Sequence, residues 1–186
     1  MIDYQHVKLT HQQAIDSVFD QQAKIDQLVE SVVNSLKNGG KVLWCGNGGS
    51  AADAQHMAAE FMVRYVKNRR PLASIALTTD SSILTAHAND FEFESVFARQ
   101  VEALAKPGDV LMSLSTSGNS RNVVLAQQQA KKMGVFCAAL TGANPSVLSA
   151  EADLAFQVNS SETARIQEAH SLISHLLCEG LDQVFS

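Results

Sequence analysis

The chain has 186 residues, of which 46% are apolar and 18% charged, with a net charge of −5. That is enough apolar material for one domain with a sizeable core, and it excludes a disordered chain, which needs low hydrophobicity and high charge. Apolar runs are broken by Gly, Ser or charge well short of the roughly 20 residues of a membrane helix. Basic residues are scattered apart from Lys67, Arg69 and Arg70, so neither a membrane nor a nucleic acid is an expected partner.

The first residues lack the apolar stretch of a secretory signal. Three cysteines, Cys45, Cys137 and Cys178, stand in apolar settings and cannot all pair. Buried free thiols in a reducing cytoplasm are expected.

Apolar residues recur at helical spacing from Ala14 through Val18, Ile25, Leu28 and Val32 to Leu36, which predicts one long helix over the first 38 residues. Gly39-Gly40 is a stop signal. A helix of that length exceeds what a small sheet needs for cover, so it is expected to reach a partner subunit. Beyond it, short apolar runs alternate with helices. KVLWC (41–45), LASIAL (72–77), DVLMSL (109–114), VFCAAL (135–140) and DLAFQV (153–158) read as strands. Helices are expected over about 50–66, 81–88, 92–105, 120–133, 146–150 and 162–185. Such alternation implies right-handed crossovers and a parallel sheet covered on both faces, with ligands bound beyond the carboxyl ends of its strands.

Segments 46–50, 78–82 and 115–120 sit at such ends and are rich in Gly, Ser, Thr and Asn. In the first, Gly46-x-Gly48-x-x-Ala51 satisfies a loose dinucleotide fingerprint. The acidic residue that should follow about 20 positions on is missing, since Asp80 lies too far along. Small residues before a helix start suit an anion, or simply a tight turn. In the third, Ser115-Thr116-Ser117-Gly118-Asn119-Ser120 sets four hydroxyls around one Gly. Hydroxyls and amides can hold a phosphate without Lys, which suits a sugar phosphate; the same run can also be a Ser-rich helix cap. No GxxxxGK[ST] occurs, which excludes P-loop hydrolysis. His56 and Glu60 are four apart on one helix face, either a metal-ligating pair or a solvated surface pair. Gln167, Glu168, His170 and His175 crowd the last helix, and Asn89-Asp90 ends a helical stretch.

CGNGGSAADAQHMAAE, HANDFEFESVFARQV, LSTSGNS and ARIQEAHSLISHLL together resemble the phosphoheptose isomerases of the sugar isomerase (SIS) domain family, in the same order over nearly the whole chain. The resemblance implies a three-layer, doubly wound α/β fold of flavodoxin-like type around a five-stranded parallel sheet. Residues 39–186 would form the SIS domain, and the helical segment 1–38 would pack in a homotetramer. It implies conversion of sedoheptulose 7-phosphate into glycero-manno-heptose 7-phosphate by acid–base enediol chemistry in the cytoplasm, early in lipopolysaccharide core synthesis. Ser115, Thr116, Ser117 and Ser120 would hold the phosphate, with Asn47, Gly48, Gly49, Ser50, Asn89, Asp90 and Gln167 contacting substrate. Glu60 and His175 would be the acid–base pair. His56, Glu60, Gln167 and His175 would bind one zinc ion per subunit.

Two rivals share these loops: a SIS-domain tetramer without catalysis that binds the replication initiator, and a sugar-phosphate sensor. The first shares Asn119-Ser120-Arg121 and Ala54-Gln55-His56, but its group lacks the acid and the histidine found here at Glu60 and His175. A sensor has no use for either. Gln167 and His175 are eight residues apart, about 12 Å along a straight helix and about 80° around it. Facing helices of different chains, or a bend, are therefore expected to complete each site.

Overall fold

The computed structural model describes residues 1–186. The first segment is two helices, α1 (Tyr4–Phe19) and α2 (Gln22–Lys37), where one was expected. Val18 and Ile25 are seven residues apart, so the apolar face keeps its phase across the junction and hides the break. The break lets the junction dock on the last strand. The Gln21 amide donates to the backbone carbonyls of Ser17 (2.9 Å) and Gln157 (3.1 Å), and Lys24 Nζ donates to the carbonyl of Ala155 at 2.8 Å. Both helices also bury residues in the chain's own core, including Ala14, Val18, Leu28 and Val32.

From there the elements follow the expected alternation: β1 (Val42–Cys45), α3 (Gly49–Met62), β2 (Ser74–Ala76), α4 (Ser81–Asp90), a 3-10 turn (Phe93–Ser95) leading into α5 (Val96–Leu104), β3 (Val110–Leu114), α6 (Arg121–Lys132), β4 (Phe136–Gly142), α7 (Val147–Glu151), β5 (Leu154–Val158) and α8 (Thr163–Phe185). The five strands form one parallel sheet in the order β2-β1-β3-β4-β5.

Because both faces are covered, the central strands are apolar throughout, with no inside–outside alternation of polarity. Val42, Trp44, Val110, Met112, Leu140 and Phe156 face α1, α2, α3 and α8. Leu43, Leu111, Cys137 and Ala139 face α5, α6 and α7. Trp44 meets Phe61 of α3 edge-on at 5.6 Å and donates its indole N–H to Ser74. All three cysteines are buried and free, and burial pushes each thiol up to about 12. No helix is long and apolar enough to cross a membrane.

The strand order reverses between β1 and β3. The chain leaves β1 toward α3 on one face and leaves β3 toward α6 on the other, so the segments that follow diverge and open a crevice. The two most Gly- and Ser-rich segments of the sequence stand there.

Candidate functional site

The loop after β3 is tightly held. Ser115 is buried and its hydroxyl meets Ser120 Oγ at 3.0 Å and Ser117 Oγ at 3.4 Å. Gly118 turns the loop at φ +66°, and a Cβ there would overlap Ser146, so only glycine fits. Asn119 Oδ1 accepts from the Val147 amide, and the Gly142 amide donates to the carbonyl of Thr116 at 3.1 Å, which ties the loop to α7 and β4. Thr116 and Ser117 line a cavity of about 200 Å³ with Asn144, Ser160, Ser161 and Thr163. Its walls carry hydroxyls, amides and backbone but no cation.

The loop after β1 is joined to this one. Asn47 and Asn122, the second residue of α6, exchange side-chain amide hydrogen bonds of 2.8 and 2.9 Å across the crevice. Asn122 was not singled out by sequence reasoning, and nothing in its spacing marks it. Gly48 precedes α3, whose first turn begins at Gly49 and buries Ser50. The Gln167 amide of α8 lies against Gly49, where a side chain would have to push it aside.

That contact begins a series. Helices α3 and α8 run in the same direction, with Gln167 on Gly49, Ser171 on Asp53 and His175 on His56. Ser171 donates to Asp53 Oδ1 at 3.1 Å, and the rings of His56 and His175 sit edge to face at 5.3 Å. His56 Nε2 pairs with Glu60 Oε1 at 3.0 Å. Glu60 is largely covered, its side chain 22% exposed against 48% for His56. Tyr65 stacks on the His175 ring, centroids 5.6 Å apart. Glu60 and His175 therefore both flank His56 within one chain. Helix α8 is continuous from Thr163 to Phe185. Gln167 and His175 meet α3 at two levels.

Asp53 belongs to this row and was missed. It lies three residues before His56 and seven before Glu60, which is one helix face. Its Oδ2 is buried with no hydrogen-bond partner. Burial pushes its pKa up, against the lowering effect of Ser171, Gln167 and the two histidines.

Two expectations find no such convergence. Asn89 and Asp90 are exposed at the end of α4 and hydrogen-bond only to each other, at 2.9 Å. The proposed zinc ligands supply suitable imidazole, carboxylate and amide donors. Yet no three His, Cys, Asp or Glu side chains converge on a point that could hold a metal ion. His56 Nε2 is turned to Glu60, and Gln167 is engaged at Gly49.

The strand-order reversal thus gathers two polar loops rich in hydroxyls and amides, and α3 and α8 carry a row of carboxylate and histidine side chains. The SIS domain family matches residues 8–142. A phosphoheptose isomerase of Campylobacter concisus is 50% identical over 94% of this chain and 93% of its own length. One from Helicobacter hepaticus is 50% identical over 91% of this chain and 86% of its own. The chain belongs to the phosphoheptose isomerase family. Solved phosphoheptose isomerases share the fold as well. That of Neisseria gonorrhoeae superposes with a TM-score of 0.88 at 41% identity, over 96% of this chain and 95% of its own. That of Francisella tularensis gives 0.89 at 35% identity, over 98% and 100%.

Proposed function

We propose that this chain is an aldose–ketose isomerase that interconverts sedoheptulose 7-phosphate and glycero-manno-heptose 7-phosphate. The observation that carries the reading is the α3–α8 row, which brings Glu60 and His175 beside His56 in a chain half identical to phosphoheptose isomerases. A pure sensor would not require that row.

The carbonyl moves from C2 to C1 through an enediol. Glu60, as carboxylate, takes a proton from C1. His175 gives a proton to the C2 oxygen as charge develops there. His175, now neutral, takes the O1 proton as Glu60 returns its proton to C2, so the aldehyde forms at C1 and both groups are restored. Ser115, Thr116, Ser117 and Ser120, with nearby amides, hold the phosphate. Asn47, Gly48, Gly49, Ser50 and Gln167 line the sugar between the two ends. Incubation of the purified protein with sedoheptulose 7-phosphate, followed by NMR, should show the aldose phosphate appearing. No product under conditions where the protein is folded would remove the proposal.

No step runs through a metal. Zinc on His56, Glu60, Gln167 and His175 is a separate proposal, supported by the donor types alone. It requires the His56–Glu60 hydrogen bond to open and Gln167 to turn. Calorimetric titration of metal-stripped protein with zinc should give one site per chain, absent in His175→Ala. Absence of uptake in the unaltered protein would reject it.

A homotetramer is likewise proposed. Helix α4 buries none of its residues, and Ile83, Phe91 and Phe93 are exposed on and just after it, as are Tyr4, Val7 and Leu9 on α1. Packing between copies would cover these and bring Asn89 and Asp90 against another chain. Light scattering should give four times the 20.0 kDa chain mass, and a monomer would refute it. Three free cysteines agree with a cytoplasmic setting.

A further inference from the structure

The end of the α3–α8 row is closed by an ion pair that takes no part in the chemistry above. Arg69 and Asp182 are both buried, their side chains 0% and 4% exposed, and Arg69 Nε donates to Asp182 Oδ1 at 2.8 Å. Asp182 is seven residues beyond His175 on α8, two turns on and on the same face. Arg69 comes from the irregular segment that returns from α3 to β2.

Nearly everything else this pair touches is backbone next to the proposed acid and base. Arg69 Nη2 donates to the carbonyl of Glu60 at 2.8 Å, and Nη1 to that of Phe61 at 2.9 Å. These are among the last carbonyls of α3, which have no amide of the next turn to accept from. On the other side, Asp182 Oδ2 accepts from the amides of Val66 (2.9 Å) and Lys67 (2.8 Å). Tyr65, the residue before them, is the one whose ring stacks on His175.

We propose that Arg69 and Asp182 are positioning residues for the isomerisation. Through the guanidinium they fix the last turn of α3 and so the place of Glu60. Through the carboxylate they fix the 65–67 segment and so the Tyr65 ring that orients His175. The inference rests on Glu60 and His175 being the base and acid. It also accounts for an otherwise costly choice. A buried ion pair can often be replaced by apolar side chains without loss of stability. Apolar side chains could not hold four backbone groups on two segments in place.

The test compares Arg69→Met/Asp182→Leu, Asp182→Asn, Arg69→Lys and Glu60→Gln. The double variant removes both charges and puts apolar side chains in their place. It should fold, with a melting temperature lowered because backbone groups of both segments lose a partner. Its kcat should fall about 10²-fold, the scale of a small misplacement of reacting groups. Its KM should stay within about threefold, because the phosphate loop is untouched. In NMR of histidine-labelled protein, the His175 ring signal should shift as Tyr65 leaves its face; the signal is assigned by its absence in His175→Ala. Arg69→Lys keeps the charge without the fork and should recover part of kcat. A folded double variant with parental kcat and an unmoved His175 signal overturns the inference. If the double variant does not fold, Asp182→Asn decides by the same two readouts. Turnover retained in Glu60→Gln would instead overturn the acid–base reading. An inactive Glu60→Gln beside a fully active Asp182→Asn would overturn only the positioning role.

Discussion

Glu60→Gln should lower kcat by about 10²–10⁴-fold, the usual contribution of a positioned general base. The amide keeps the shape and can still hydrogen-bond His56, which Glu60 now meets at 3.0 Å. What it cannot do is accept a proton from carbon. The hydroxyl loop keeps its own contacts with β4 and α7, so binding of the phosphate ester should be nearly unchanged. Steady-state kinetics beside calorimetry with a non-isomerisable sugar phosphate separates the two effects. Near-normal turnover would remove Glu60 as base. Lost binding with lost turnover would mean that the change had reached the phosphate end.

Replacing Ser115, Thr116 and Ser117 together with Ala should do the reverse. Each lost hydrogen bond to a charged group costs about 1.5–3 kcal/mol. With about 1.4 kcal/mol for each tenfold in affinity, and neighbouring losses not adding fully, KM should rise on the order of 10²–10³-fold. Folding should suffer far less. The Ser115 hydroxyl is spent on Ser120 and Ser117, and such neutral bonds are worth about 1 kcal/mol each. That corresponds to a few degrees of melting temperature in a domain of this size. Unchanged substrate affinity would place the phosphate elsewhere.

Much of this was legible because the sheet is buried on both faces. Runs such as VLWC and VLMSL have no polar alternation, and only a covered parallel strand or a buried helix reads that way. Their brevity and the Gly- and Ser-rich segments after them decide for strands. β2 is shorter than its apolar run, since Leu72 and Leu77 are buried beyond the ends of the ladder at Ser74 and Ala76. The break between α1 and α2 was hidden by an apolar phase that runs straight through it. Helix α3 was expected to reach residue 66. Periodicity does allow that, but Arg69 takes the carbonyls of Glu60 and Phe61 and the helix stops at Met62.

At the site, spacing on one helix was informative and spacing between helices was not. His56 with Glu60 is a one-turn relation visible in the letters, and Asp53 could have been added by extending the same face upward. That His175 falls on His56 while Gln167 falls on Gly49 depends on the direction and depth of α8 against α3. Those follow from how Ile173 and Leu177 seat in the core, and no local pattern encodes them. The ligand set carried over from the family is the clearest case. Its residue types are all present, but their side chains point to partners that the types alone do not specify.

The docking of Gln21 and Lys24 on β5 has a consequence for how copies of this chain can meet. β5 is one border of the sheet, and its free carbonyls at Ala155 and Gln157 already accept from these two side chains. The opposite border, β2, is only three residues long. A strand from another molecule would find a blocked template on one side and almost none on the other. Growth of the sheet from molecule to molecule is thereby discouraged, even though its interior is built of the apolar runs that stack most readily when exposed. Any assembly of this protein is left to its helices.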